Sequence, residues 1–500
     1  MENRIRNREL LKKVVTPEFA AAAVKSGMNI ATSGDLQAGS PKLFFRALAE
    51  RAKRGEVKEL SLWSVCLFNY DIEGAIAEAG ALKRRLGSHG DGTLRKAINT
   101  GKVFCNDMRT EILPQMVRQG LLGKLDVAVV YAAAITEEGH IIPSHSAVDI
   151  ASYVEVADIV VVEIDHAIPL EIEGLHDIYL PALPPSKKEI PLYGPAERIG
   201  TPYIPAGVEK INYIIECQEP FQGTRFVPID EKSQQLADHL IFFFKKEIKA
   251  GRLPKNLLPI ECGIGAISDA ILRNLARSDF QELEIYSGVI GDGIVDLIET
   301  GKCKAATGGG VLLSNEGWQK FCKNIKKIKE KLILRPVEVT NNPEMVRRLG
   351  LIAINGALEV DIYGNVNGSH IGGTQLVNGT GGSGVFASNA YLAVFVMPST
   401  GKNGDISTIV PMVPHVDQPE HNVDVVVTDQ GLADLRGLAP VERAEKLIHN
   451  CAHPDYRPLL LDYLERAKKM VSGHQPHILE EAFSFHQRLK KTGTMKTESK

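Results

Sequence analysis

The 500-residue chain has no CxxC pair, and its seven cysteines (Cys66, Cys105, Cys217, Cys262, Cys303, Cys322 and Cys451) are scattered and odd in number. Neither a disulfide framework nor a zinc site is implied, and no metal is expected. Nothing approaches the ~20 unbroken apolar residues a bilayer-spanning helix needs; Leu240-Ile241-Phe242-Phe243-Phe244 is followed at once by two lysines. The opening Met1-Glu2-Asn3-Arg4 is charged and lacks a signal-peptide hydrophobic region. A formal net charge of −3 offers no basic surplus for nucleic acid. The lysine-rich stretch 320–331 interleaves only Phe321. A single-strand binder needs several stacking aromatics, so a solvated helix face is expected there. These absences point to a cytoplasmic protein with neither membrane nor nucleic-acid partner.

What remains is an ordinary globular composition, 44% apolar and 24% charged, in a chain too long for one core. Short β-branched runs alternate with amphipathic stretches, which predicts βαβ units and an α/β fold of two similar open domains with largely parallel sheets. Residues 125–131 and 157–164 read as buried strands, and a second set includes 257–261, 283–286, 359–363 and 423–427. The proline-dense segment 170–205 is either an interdomain linker or an arm packed on the domains. The expected division is 1–225 and 226–490, with 491–500 a disordered tail.

Three glycine turns could carry chemistry. Asn378-Gly379-Thr380-Gly381-Gly382-Ser383-Gly384 has the backbone freedom and bare amides of an anion nest or oxyanion hole. Glu261-Cys262-Gly263-Ile264-Gly265-Ala266-Ile267 follows a strand and opens a helix, where open α/β sheets bind ligands and a helix N-terminus favours anions. The stretch 34–42, Gly34-Asp35-Leu36-Gln37-Ala38-Gly39-Ser40-Pro41-Lys42, is a third strand-to-helix turn. The histidines offer little: His449 and His453 are four apart but lack the zincin glutamate, and His145 stands alone.

With Arg198-Ile199-Gly200-Thr201-Pro202-Tyr203, Gly251-Arg252-Leu253-Pro254-Lys255, 427–437 and Cys451-Ala452-His453-Pro454-Asp455-Tyr456-Arg457, these segments make nearly the whole chain resemble the acetyl-CoA hydrolase/transferase family of class I CoA-transferases. The resemblance implies an active-site cleft between the two domains, a homodimer, acyl-CoA and small carboxylates as substrates, and no permanently bound cofactor. A glutamate nucleophile, an acyl anhydride and a glutamyl-CoA thioester are the family's route. It implies further that Gly263, Ile264, Gly265, Ala266, Ile267, Asn378, Gly382 and Lys402 contact CoA, Lys402 as a point charge on a phosphate. Asn341 and the Gly382 amide look like the oxyanion pair.

One position departs. The family's nucleophilic glutamate falls on Gly288 in Tyr286-Ser287-Gly288-Val289-Ile290-Gly291-Asp292, and the aspartate usual after Gly384 is Val385. Glu284 lies four residues back on the same strand face, ~13 Å away, too far to substitute. Glu261, ending a neighbouring strand, is the candidate for a relocated carboxylate. Three activities therefore stand open: a CoA-transferase, an acyl-CoA hydrolase or non-covalent transferase, and a non-catalytic CoA-binding protein.

Overall fold

In the computed structural model, which describes residues 4–32, 34–36, 39–67 and 69–497, the chain divides into two units. Residues 1–225, 284–349 and 378–385 form the first; 226–283, 350–377 and 386–500 form the second.

The first unit is built on β1 (Asn29–Thr32), β2 (Leu60–Leu67), β3 (Leu82–His89), β4 (Phe104–Asn106), β5 (Val127–Ile135), β6 (Ile159–Asp165) and β7 (Tyr213–Cys217). They pair in parallel in the order β4-β3-β2-β1-β5-β6-β7. The order therefore runs down to β1 and reverses between β1 and β5. Strand β5 is buried along its whole length, as a run of valine and alanine between two helical layers requires. The helix after β1, α1 (Leu43–Lys53), turns Phe44, Phe45, Leu48 and Ala52 onto Val129, Val161 and Ile215. Its first amides, those of Lys42, Leu43 and Phe44, donate to the Glu163 carboxyl of β6 at 2.7, 3.2 and 3.0 Å. Burial pushes that carboxyl upward, and the three amides act against the shift.

Of the two readings of 170–205, the packed arm is observed. Ile178, Ile190, Leu192 and Ile204 are buried. Asp177 accepts from the amides of Ile199 and Gly200 and pairs with the fully buried Arg335 of the same unit. The helix Asn315–Lys329 buries Trp318, Phe321, Ile325 and Ile328 and leaves Lys323, Lys326 and Lys327 exposed, which is the solvated lysine face expected.

The second unit carries β8 (Ile260–Cys262), β9 (Ile352–Gly356), β10 (Leu392–Val396) and β11 (Val425–Thr428), parallel in that order, and β12 (Gly431–Asp434), antiparallel at the edge. Strand β8 starts later than the apolar run 257–261 suggests, because Leu257 takes a left-handed φ of 59° and Pro259 has no amide to pair. The core gathers Phe395 and Val426 from the sheet with Leu460 and Leu464 from the helix Arg457–Met470 and Tyr456 just before it. Of the tail expected to be disordered, 498–500 lie outside the described residues. The helix Ser484–Thr492 continues past residue 490, and Met495 is buried with its amide on Asp405 O at 2.7 Å. No helix among the described residues is long and apolar enough to cross a membrane.

Candidate active site

The glycine-rich turn 378–385 belongs to the first unit and is clamped there by residues nearly three hundred positions upstream. The Thr380 amide donates to Asp107 Oδ2 at 2.8 Å, and the Gly381 amide to Ser88 Oγ at 3.3 Å. Ser88 Oγ in turn donates to Asp107 Oδ1 at 3.2 Å. A Cβ on Gly379 would fall 2.5 Å from Asp107 Oδ1 and 2.7 Å from Ser88 Cβ, so the clamp closes only on glycine. With these two amides engaged, the Gly382 amide is left without a partner among the described residues. The Asn378 side-chain oxygen, buried, also lacks one. Val385, where the family resemblance leads one to expect aspartate, is 5% exposed.

Asn341 and Gly288 lie in the same unit. Asn341 is 3% exposed; its Nδ2 donates to Thr110 Oγ1 at 2.8 Å, and its Oδ1 accepts from Thr340 Oγ1 at 2.9 Å. One Nδ2 proton is thus held, and the other has no partner among the described residues. The strand Leu283–Tyr286 leads to Gly288, and the Tyr286 hydroxyl donates to Val339 O at 2.7 Å, two residues before Asn341. Gly288 O accepts from Gly309 N at 2.8 Å. Glu284, already excluded by distance, pairs with Lys304 at 2.8 Å.

Glu261, the Gly263–Ile267 stretch and Lys402 lie in the second unit. Glu261 sits in β8 with its Oε2 buried and unpartnered. Burial pushes its carboxyl up to about 8, opposed only by a hydrogen bond from the Ile354 backbone. At neutral pH it is a neutral acid, which is a poor nucleophile. Residues 263–267 are all half-buried, and Gly265 caps α2 (Ala266–Arg277) at φ 115° with nothing within 4 Å of an added Cβ. The helix start is thus open and carries no side-chain cap. Lys402 Nζ donates to Gly493 O at 2.9 Å. No group of His, Cys, Asp and Glu among the described residues could hold a metal ion.

Sequence reasoning missed the Ser88–Asp107 clamp, which no local motif announces. It also passed over His145, which lines a cavity of the first unit. Of the third turn, Gln37 and Ala38 lie outside the described residues, while Gly39 donates its amide to His145 Nε2 at 2.9 Å.

The chain is an α/β protein whose glycine-rich turn is held by Asp107 and Ser88, in the same unit as the buried Asn341. Comparison with known proteins is consistent with that class. The models of the acetyl-CoA hydrolase/transferase N-terminal and C-terminal domains match residues 1–231 and 317–464. The chain is 45% identical to the succinyl-CoA:acetate CoA-transferase of Clostridium kluyveri, over 99% of this chain and 92% of that one. It is 39% identical to the acetyl-CoA hydrolase of Candida glabrata, over 100% and 98%. Among solved structures, RipA from Yersinia pestis superposes with a TM-score of 0.72 at 21% identity, covering 92% of this chain and 98% of that one, a likeness of fold. The chain belongs to the acetyl-CoA hydrolase/transferase family.

Proposed function

We propose that this enzyme moves CoA between an acyl-CoA and a small carboxylic acid. The observation that carries the reading is the unpartnered amide at Gly382, on a turn held by Asp107 and Ser88 and in the same unit as Asn341. A preorganised amide and a side-chain N–H are what a thioester oxygen needs as negative charge develops on it, a contribution of about 3 kcal/mol per donor. Gly263–Ile267 at the open start of α2, together with Lys402, would hold the CoA part of the substrate.

Gly288 supplies no carboxylate, and Glu261 is neutral at pH 7. Both facts favour a route without a covalent enzyme intermediate. The acceptor carboxylate attacks the thioester carbon; the tetrahedral oxyanion rests on the Gly382 and Asn341 donors; collapse expels the CoA thiolate and leaves a mixed anhydride. The thiolate then attacks the other carbonyl of the anhydride and releases the original acid, so that acid and thioester have exchanged partners. Positioning supplies the rate. Water in place of the acid gives acyl-CoA hydrolysis, the activity named for the yeast relative. A cytoplasmic homodimer with no permanently bound cofactor completes the proposal, and light scattering on the purified protein tests the dimer.

The test is thioester exchange over a panel of acyl-CoA donors and acids, on the native chain and on Gly288→Glu. Native turnover without a CoA-sized mass adduct on a Glu261 peptide supports the direct route. A steep rise with Gly288→Glu supports a competent scaffold lacking only its nucleophile. Thermal stabilisation by acyl-CoA with no turnover to any acid or to water would overturn the reading in favour of a CoA-binding protein.

A further inference from the structure

The clamped turn and Asn341 are both held from one short loop of the first unit. Asp107 accepts from the Thr380 amide of the turn at 2.8 Å, and Thr110 accepts from Asn341 Nδ2 at 2.8 Å. These two anchors stand three residues apart in the chain. At ~3.6 Å per residue they cannot part by more than about 11 Å. An oxyanion needs each of its donors about 3 Å from one point, so the spacing of the anchors matters as much as either bond alone.

The loop is braced at both ends. Upstream it leaves β4, whose Cys105 and Asn106 pair with Arg85 and Leu86 of β3. Ser88, two residues further along β3, donates to Asp107 Oδ1 at 3.2 Å and ties the two strand ends together. Behind Ser88, the fully buried Arg85 donates to Ser88 O at 2.8 Å and to Ser64 O of β2 at 2.9 Å. Its charge is met by the equally buried Glu73 at 2.9 Å. Downstream, the amides of Ile112 and Leu113 donate to Arg109 O at 3.2 and 3.4 Å and open the helix Ile112–Arg118, which buries Leu113 and Val117. That helix ends on Arg118, whose guanidinium pairs at 3.2 Å with Glu338, three residues before Asn341.

The bond to Thr110 also sets a direction. Thr110 is 4% exposed and Asn341 3%. With Nδ2 on Thr110 Oγ1 and Oδ1 accepting from Thr340 Oγ1 at 2.9 Å, two hydroxyls fix the plane of the Asn341 amide. The second Nδ2 proton then keeps one direction.

We propose that loop 107–110 is the spacer of the oxyanion site, with Thr110 the positioning residue of Asn341 and Asp107 that of the Gly382 turn. This inference rests on the transferase reading and names what sets the distance between its two donors. Thr110 acts through Asn341 rather than on the substrate.

The experiment measures thioester exchange by the full chain and by Thr110→Val, Thr110→Ser, Asp107→Asn, the Thr110→Val/Asp107→Asn double variant and a chain with one glycine inserted between Met108 and Arg109. Thr110→Val keeps the volume and removes the acceptor. Its kcat should fall about tenfold with KM for the acyl-CoA within about twofold, and Thr110→Ser should restore the rate. Because one spacer serves both donors, the double variant should lose little more than either single one, well short of the roughly hundredfold product. The inserted glycine leaves both anchoring side chains in place but changes their spacing, and should cut kcat at least as far. The Arg109 side chain is 67% exposed, so the insertion keeps the test alive should Thr110→Val fold poorly. An unchanged kcat in Thr110→Val or in the insertion, a loss carried by KM, a Thr110→Ser as slow as Thr110→Val, or a double variant at the full product would overturn the inference. Hydrogen exchange of peptides 337–342 and 378–385 gives a readout that needs no turnover, and the insertion should speed it in at least one of them. If the native chain exchanges no thioester, that faster hydrogen exchange supports the spacer and counts against the transferase reading alone. Native turnover with an insertion that changes neither kcat nor hydrogen exchange does the reverse.

Discussion

In the first unit's glycine turn, a methyl group on Gly379 would collide with Ser88 and Asp107, while in the second unit's turn a methyl on Gly265 would meet nothing within 4 Å. Gly379 is needed for close approach; Gly265 is needed because its φ is 115°. The surroundings differ in the same sense. The first turn is held by amides donating to Asp107 and Ser88, and the second follows a buried, neutral Glu261 and opens onto an uncapped helix. A locked turn can aim one amide at one atom, as an oxyanion requires. An open one can adapt to the phosphates and flexible arm of a large substrate. Two glycine-rich strings that look alike in sequence thus separate into a clamped turn and an open one.

Four substitutions test that contrast. The largest effect belongs to Glu261→Gln and is on stability. The folded carboxyl titrates at about 8, above its unfolded value of ~4.3. The native chain therefore holds a proton that the unfolded chain releases, so its stability falls as pH rises from ~4 to ~8 and levels off beyond. Glutamine has no such slope. The variant should gain roughly 3–5 kcal/mol over the native protein by pH 8 and match it near pH 4, as urea melts across that range would show. Parallel slopes in the two proteins would mean that the second turn does not stand on a neutral acid. Gly379→Ala should come next, forcing the clamp apart and cutting exchange about a hundredfold, equivalent to losing one oriented donor. If rates hold, the first turn is not locked. Asp107→Asn keeps one acceptor but loosens the hold on Thr380, and about a tenfold fall in kcat with little change in KM is expected. Gly265→Ala should be mildest: about 1–2 kcal/mol of backbone strain and a severalfold rise in KM for the acyl-CoA, with kcat kept. A kcat effect there as large as at Asp107 would erase the distinction between the turns.

The sheets were legible because valine and isoleucine runs such as 127–130 and 159–162 leave little alternative to a buried parallel strand. Strand β3 was not, since Lys83, Arg84 and Arg85 break the apolar run. Arg85 is nonetheless fully buried against Glu73, a pairing that only the folded neighbourhood can supply. Both glycine turns could be found from composition, yet their opposite characters could not. The partner of Thr380 lies 273 residues away, and neither Ser88 nor Asp107 sits in a recognisable motif. His145 was passed over for the same reason: the Gly39 amide that it accepts from lies 106 residues away. The absent glutamate at Gly288 was readable because a local motif frames it. What that glycine does chemically depends on groups the chain brings in from elsewhere.

The clamped turn itself is an inset. Residues 378–385 belong to the first unit, but the chain reaches them from the second and returns to it immediately afterwards. No single cut can therefore release either unit intact, and a fragment ending at residue 225 would lack Gly288, Asn341 and Gly382 together. During synthesis from the N-terminus, the first unit stays incomplete until residue 385 has emerged, by which time most of the second has been made. Dissection by truncation would thus read as loss of everything at once. Paired fragments cut within an exposed loop and mixed would be the way to divide this protein.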